Sequence, residues 1–293
     1  MHPLNRFRDG YDFPRLVAAH PPLAKFVVRS PRDEETIDFA DPVAVLTLNQ
    51  ALLKEAYGLQ WSLPHGALCP PVPGRLDYIH HLADLLGGGD AADAPRGSDI
   101  AILDLCAGAN CILPLLGACE YGWRYVATEA DQASHRWARQ IVRLNRPVAG
   151  LIEGRYQPDV RSCFAHVTTV GERFAACSCN PPFHASHADA AAGSARKRRN
   201  LKLSRDAADL TFGGGSHELV CQGGEVGFIQ RMIAESATRP SLCVWFTVMV
   251  SKSANLPVLK RALSKTPATY VRTIDMAQGQ KKSRLLAWTF ARA

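Results

Sequence analysis

Ile100-Ala101-Ile102-Leu103-Asp104-Leu105 is a short apolar run that closes on an acid, and Cys106-Ala107-Gly108-Ala109-Asn110 then leads into the apolar segment Cys111 to Cys119. The run reads as a buried strand. The small residues after it let a ligand approach the backbone, with a helix N-terminus behind them. Trp123-Arg124-Tyr125-Val126-Ala127-Thr128-Glu129 follows as a second strand ending in an acid. A carboxylate at that place is the usual acceptor for ribose hydroxyls in doubly wound sheets. Either acid alone also fits a helix cap. Strand-acid, small-residue loop and strand-acid in succession predict an α/β fold with a Rossmann-like sheet.

Phe174-Ala175-Ala176-Cys177-Ser178-Cys179 is another apolar run, and Asn180-Pro181-Pro182-Phe183 closes it. The prolines fix their own φ, extend the residue before them and carry no N–H. The Asn180 amide oxygen and the Pro181 carbonyl are thereby available as two acceptors for one substrate NH2 group. Phe183 offers a flat face for a planar substrate. Asn-Pro alone would be an ordinary turn.

Punctuation places the remaining elements. Asp41 caps and Pro42 starts a helix ending at Gly58, and a second helix runs from about Arg75 to Leu86. Gly87 to Ser98 reads as a surface loop. Strands are expected near 100–105, 124–129, 150–155, 173–179, 242–250, 269–276 and 284–291, the last two as a closing hairpin. Helices near 111–119, 131–145, 217–237 and 255–264 supply right-handed crossovers. The chain is expected to divide into an extension over 1–86 and a Rossmann-like domain over 87–293.

These motifs, with blocks further out, carry a resemblance. Met1-His2-Pro3-Leu4-Asn5-Arg6, Tyr11-Asp12-Phe13-Pro14, Ile37-Asp38-Phe39-Ala40-Asp41-Pro42 and Leu68-Cys69-Pro70-Pro71-Val72-Pro73-Gly74-Arg75 belong to it. So do Asp77-Tyr78-Ile79-His80, Gly108-Ala109-Asn110-Cys111, Asn180 through Ser186, Gly223-Gly224-Glu225-Val226 and Met276 through Arg284. The chain resembles the bacterial 23S rRNA adenine-N6-methyltransferases, whose human relative methylates adenine in U6 snRNA and in certain mRNA hairpins. The resemblance implies a class I S-adenosylmethionine-dependent methyltransferase fold and transfer of a methyl group to N6 of adenine 1618 of 23S rRNA. It assigns Asn180, Pro181, Pro182 and Phe183 to catalysis. It assigns Arg75 to the cofactor carboxylate, 106–110 (with Cys106, Ala107, Gly108 and Asn110) to the methionine part, Glu129 to the ribose and a residue near Asp159 to the adenine moiety. Asp104 orders the cofactor loop rather than serving as a base. The family usually has Gly where this chain has Cys106, so that side chain is expected to point away from the ligand.

Composition agrees with an intracellular, cytoplasmic enzyme. Of 293 residues 47% are hydrophobic, and 34 basic residues against 27 acidic ones give +7, which favours a polyanionic partner. No run approaches the roughly 20 apolar residues of a membrane span, and His2, Arg6, Arg8 and Asp9 do not make a signal peptide. Nine cysteines without a CxxC pair read as reduced thiols, with no metal site. A monomer is expected.

Two regions are candidate RNA contacts. A basic insertion at about 185–216 carries Arg196, Lys197, Arg198 and Arg199, with Lys202 and Arg205, directly after the catalytic turn. A clamp on phosphates and a solvated loop both fit it. Lys281 and Lys282 extend the same surface. The amino-terminal arm adds His2, Asn5, Arg6, Arg8, Lys25, Arg29 and Arg32, with Phe7, Tyr11 and Phe13 interleaved; the aromatics serve either RNA or the core. The Asn-Pro-Pro-aromatic turn also serves enzymes that methylate protein glutamine or DNA amines. An inactive RNA-binding protein, hinted at by Cys106, is the alternative of another class.

Overall fold

The structure is a computed structural model and describes residues 1–89, 93–183, 220–278 and 281–291. A seven-stranded mixed sheet is built from β3 (Ala101–Leu105), β4 (Arg124–Glu129), β5 (Ile152–Tyr156), β6 (Phe174–Cys179), β7 (Cys243–Val250), β8 (Tyr270–Gln278) and β9 (Lys281–Thr289). Its spatial order is β5-β4-β3-β6-β7-β9-β8. The first five strands in that order are parallel, and β9 and β8 close the edge as an antiparallel hairpin. From β3 the chain winds outward to β4 and β5 and then returns to the other side of β3 as β6. The crevice at the carboxyl ends of β3, β4 and β6 is therefore the topological switch point.

Two apolar layers sandwich the sheet. One holds α3 (Val72–Leu86), α4 (Ile112–Tyr121) and α5 (Gln132–Leu144), followed by the short α6 (Arg146–Ala149). The other holds α7 (Gly224–Thr238) and α8 (Leu256–Leu263), where Phe246 stacks on Trp288 and the Trp288 indole donates to Ser236. The first layer is continuous with the amino-terminal part: α1 (Phe13–Ala19), the ribbon of β1 (Val27–Arg29) and β2 (Glu35–Ile37), and α2 (Pro42–Tyr57). The Asp41 carboxylate accepts from Val43 N–H, Pro42 opens α2, and Gly58 ends it at φ 67°. Left-handed backbone is where glycine costs least.

Three boundaries differ from expectation. α3 begins at Val72 rather than Arg75, because Pro73 is tolerated in a first turn whose N–H groups need no partner. α7 begins at Gly224 rather than 217, since Gly223 and Gly224 lie at φ 80° and 59° and form the turn before it. α1 and the β1–β2 ribbon were not foreseen: seven and three residues are too short for a periodic signal.

Candidate active site

A cavity of about 670 Å3 opens at the switch point. Asp104, Cys106, Ala107, Gly108, Asn110 and Glu129 line one side, and Asn180 and Pro182 another. Arg75 and Leu68 reach it from the amino-terminal part. Arg75 also borders a second cavity of about 260 Å3, which holds Phe183, Met249, Met276 and Lys282. The expected catalytic turn thus straddles two adjoining spaces, with Asn180 facing the larger and Phe183 the smaller.

The cofactor-side loop is held by backbone donors. Glu129, at the end of β4, accepts from Gly108 N–H at 2.8 Å and from Ala130 and Asp131 N–H at 2.8 Å. Ala107 N–H donates to Thr128 C=O at 2.9 Å, and the Trp61 indole donates to Asn110 C=O at 2.8 Å. The Asn110 side chain accepts from Ile112 N–H and so closes the first turn of α4. Parallel pairing sets Asp104 beside Ser178, whose hydroxyl donates to the carboxylate at 2.5 Å. Burial raises the Asp104 carboxyl to about 8; the Ser178 bond opposes that and Glu129 adds to it. The raised carboxyl is tied to its neighbour strand through the Ser178 hydroxyl.

Cys106 lies at φ 59°, in the left-handed region. That accounts for the glycine usual there: a Cβ costs roughly 1–2 kcal/mol in this conformation. Cys106 is itself a wall residue of the large cavity, while it packs against the apolar cluster under α7. All nine cysteines are free thiols.

Among the described residues three buried polar groups on the cavity wall lack a hydrogen-bond partner: Arg231 Nε, Asn180 Oδ1 and Arg75 Nε. Asn180 Oδ1 is buried without a hydrogen-bond partner. The Arg75 guanidinium is buried, with Nη1 on the Met249 sulfur at 3.1 Å and Nε unpartnered. Burial lowers it to about 10, so it is still a cation at neutral pH. Unpaired buried groups of this kind are costly unless something meets them. An anion for Arg75 and an NH2 group for Asn180 would do so.

Asp159 needs correction. It is not part of the cavity wall; its carboxylate accepts from Arg161 N–H and Nε–H at 3.0 Å and from the Ser162 hydroxyl. The wall there is Gln157, Val160, Arg161 and Ser162. Cys221, Gln222 and Arg231, at and before α7, also line the cavity and were missed. Gly223-Gly224-Glu225-Val226 was their nearest sequence signal.

The arm is pinned rather than presented. His2 N–H donates to Asp77, and Asn5 donates to Pro73 C=O and to Asp77 at 2.6 Å. His2, Asn5, Phe7 and Phe13 are buried, which removes them as RNA contacts. Leu4 N–H donates to His2 Nδ1, leaving Nε2–H to donate to Asp84. Arg6 pairs with Glu120 at 2.7 Å and lies over the Tyr57 ring, whereas Arg8 is exposed. Lys282 is exposed beside Phe183's cavity; the Lys281 side chain and Arg196, Lys197, Arg198 and Arg199 lie outside the described residues. Among the described residues no helix is long and apolar enough to cross a membrane.

An RNA methyltransferase family model matches residues 1–292. The chain belongs to that family. Members similar to it include ribosomal RNA large subunit methyltransferase F of Methylobacillus flagellatus, 49% identical over 99% of this chain and 91% of that one. The enzyme of the same name from Pseudomonas aeruginosa is 49% identical over 99% and 88%. The catalytic domain of human METTL16 bound to MAT2A 3′UTR hairpin 1 superposes with TM-score 0.83 at 30% identity, covering 99% of this chain and 96% of that one. The METTL16 amino-terminal domain in complex with SAH gives 0.78 at 29% identity, covering 100% and 99%. The fold of this family member is that of class I S-adenosylmethionine-dependent methyltransferases, and its activity is RNA methylation.

Proposed function

We propose that this RNA methyltransferase transfers a methyl group from S-adenosylmethionine to N6 of one adenine of 23S rRNA, adenine 1618 in the usual bacterial numbering. The observation that carries it is Asn180 Oδ1, buried and without a partner among the described residues on the larger cavity, with Phe183 on the smaller one. S-adenosylmethionine, when bound, supplies a methyl group on a sulfonium that is its own leaving group. Everything else is positioning. Arg75 holds the cofactor carboxylate, Glu129 the ribose hydroxyls, and 106–110 the methionine part. Gln157 and Val160, rather than Asp159, face the adenine moiety. Asn180 and the Pro181 carbonyl accept the two N6–H bonds and aim the nitrogen lone pair, while Pro182 stiffens the turn. Phe183 stacks on the target base, which must be unpaired or extruded.

In this reading 1–86 is an extension covering the cofactor and contributing Arg8 to RNA binding, on a methyltransferase domain of 87–293. The basic insertion, Lys281 and Lys282 hold phosphates, Arg6 meets RNA only with its exposed part, and the enzyme acts in the cytoplasm as a monomer. Incubating the enzyme with tritiated S-adenosylmethionine and a mixture of unmodified 23S rRNA, duplex DNA and cell protein tests this. Label on the rRNA alone is expected; label on a protein glutamine or on DNA contradicts it.

A further inference from the structure

We infer that the outer groove between α5 and β5 is a second docking track for the phosphate backbone of the RNA, apart from the methyl-transfer site; the inference rests on the RNA reading above. The groove encloses about 420 Å3 and is walled by Arg124, His135, Arg139 and Arg143 over Val142 and Ile152. α5 buries Ser134, Ala138, Ile141 and Val142, and turns Arg136, Arg139 and Arg143 outward on successive turns. Arg146 continues the stripe into α6. At 1.5 Å per residue Arg136 and Arg143 stand about 10 Å apart along the axis. That matches roughly three nucleotides of a stacked strand at about 3.4 Å each.

Among the described residues none of Arg124, Arg136, Arg139, Arg143 and Arg146 forms an ion pair. Of the acids near them, Glu153 pairs with Arg155 at 2.7 Å and also feels Arg124, Glu129 holds the loop after β3, and Asp131 caps α5 through Ser134 N–H. His135 registers the field, its pKa lowered first by burial and then by Arg139 and Arg136. Like charges three and four residues apart on a helix repel one another, and a polyanion relieves that repulsion. Gly154 shapes the groove: a Cβ there would stand 2.9 Å from Arg139 Cγ, so the missing side chain lets the arginine stem lie across the sheet edge.

The other flank of α5 is closed by the amino-terminal extension, through Trp137 to Ser62 C=O and the paired bonds between Asn145 and Gln60. Asp131 and Gln132, where the helix starts, line the large cavity, and Ala107 and Glu129 wall both spaces. The track therefore descends from the rim of the active site along the side of the molecule. RNA flanking the target adenine would follow it.

The test is the triple variant Arg136→Gln, Arg139→Gln and Arg143→Gln in the full chain, binding a folded 23S rRNA fragment over a series of KCl concentrations. Affinity at low salt should fall about 10-fold or more, and the salt slope should flatten by about 0.7–0.9 per lost phosphate contact. S-adenosylmethionine affinity and Tm should stay at wild-type values. The charge-preserving triple lysine variant should keep the wild-type slope, which a merely structural role would not require. A glutamine variant that binds with wild-type affinity and slope overturns the track while the RNA reading stands. A wild-type enzyme that neither binds nor methylates the fragment overturns both.

Discussion

At Asp104 a carboxyl sits fully buried between Ser178 and Glu129, raised to about 8 chiefly by burial. The folded state holds this proton more tightly than the unfolded chain does. Its contribution to stability is therefore fully present below the ordinary carboxyl range and is lost as pH rises through about 8. Denaturant melts of wild type and Asp104→Asn between these limits should show the wild type losing stability relative to the variant as pH rises, levelling above 8. A difference flat with pH would mean the carboxyl titrates normally. Cys106 makes a second case. Cys106→Gly relieves roughly 1–2 kcal/mol of left-handed strain and gives back about as much in backbone entropy and packing. Its Tm should stay close to wild type. Cys106→Val places a β-branched side chain at φ 59° and should lower Tm and cofactor affinity together; thermal scans with and without S-adenosylmethionine decide it.

At the scale of elements, α3 links the arm, the candidate cofactor cavity and the proposed catalytic turn. Its first turn carries Arg75, and its third side anchors His2 and Asn5 through Asp77. Tyr78 reaches under the sheet end: Thr247 donates its hydroxyl to Cys177 C=O at 2.7 Å, so Tyr78 O–H donates to Thr247 and accepts from Cys179 N–H at 3.0 Å. Tyr78→Phe strands that buried N–H one residue before Asn180, a loss of about 1–3 kcal/mol. The variant should unfold at lower denaturant and lose kcat more than cofactor affinity; unchanged kcat would separate α3 from the turn. Such links were not legible in the sequence. The strands, their terminal acids and the Asn-Pro-Pro-Phe turn were, because each is a local pattern of burial and stiffness. Arm residues such as His2 and Asn5 read as surface contacts because their partner, Asp77, lies some 70 positions away, and no periodicity announces a pairing of that kind. Asp159 lies off the cavity wall: the loop follows from strand order, but which side chain faces inward depends on Arg161 and Ser162 taking its carboxylate.

Across the whole molecule, the switch point concentrates the Arg75 cation, the Glu129 carboxylate and the Asn180 amide oxygen in one cavity, with the Phe183 ring in the next. Basic residues spread outward from it, from Lys282 to the stripe on α5, while the net charge is +7. The proposed role of Asn180 suits a base presented by folded RNA better than one held in a duplex, because Watson–Crick pairing would occupy the amine and extrusion costs a few kcal/mol. The most direct test methylates a folded 23S rRNA fragment carrying the target adenine in its loop, and the same adenine in a perfect duplex, then digests both to nucleosides and weighs them. N6-methyladenosine should form on the looped fragment, weakly on the duplex, and about 10²-fold or more slowly with Asn180→Ala, whose cofactor affinity should be intact. Methylcytidine, equal labelling of loop and duplex, or a near-normal single-turnover rate in Asn180→Ala would contradict it.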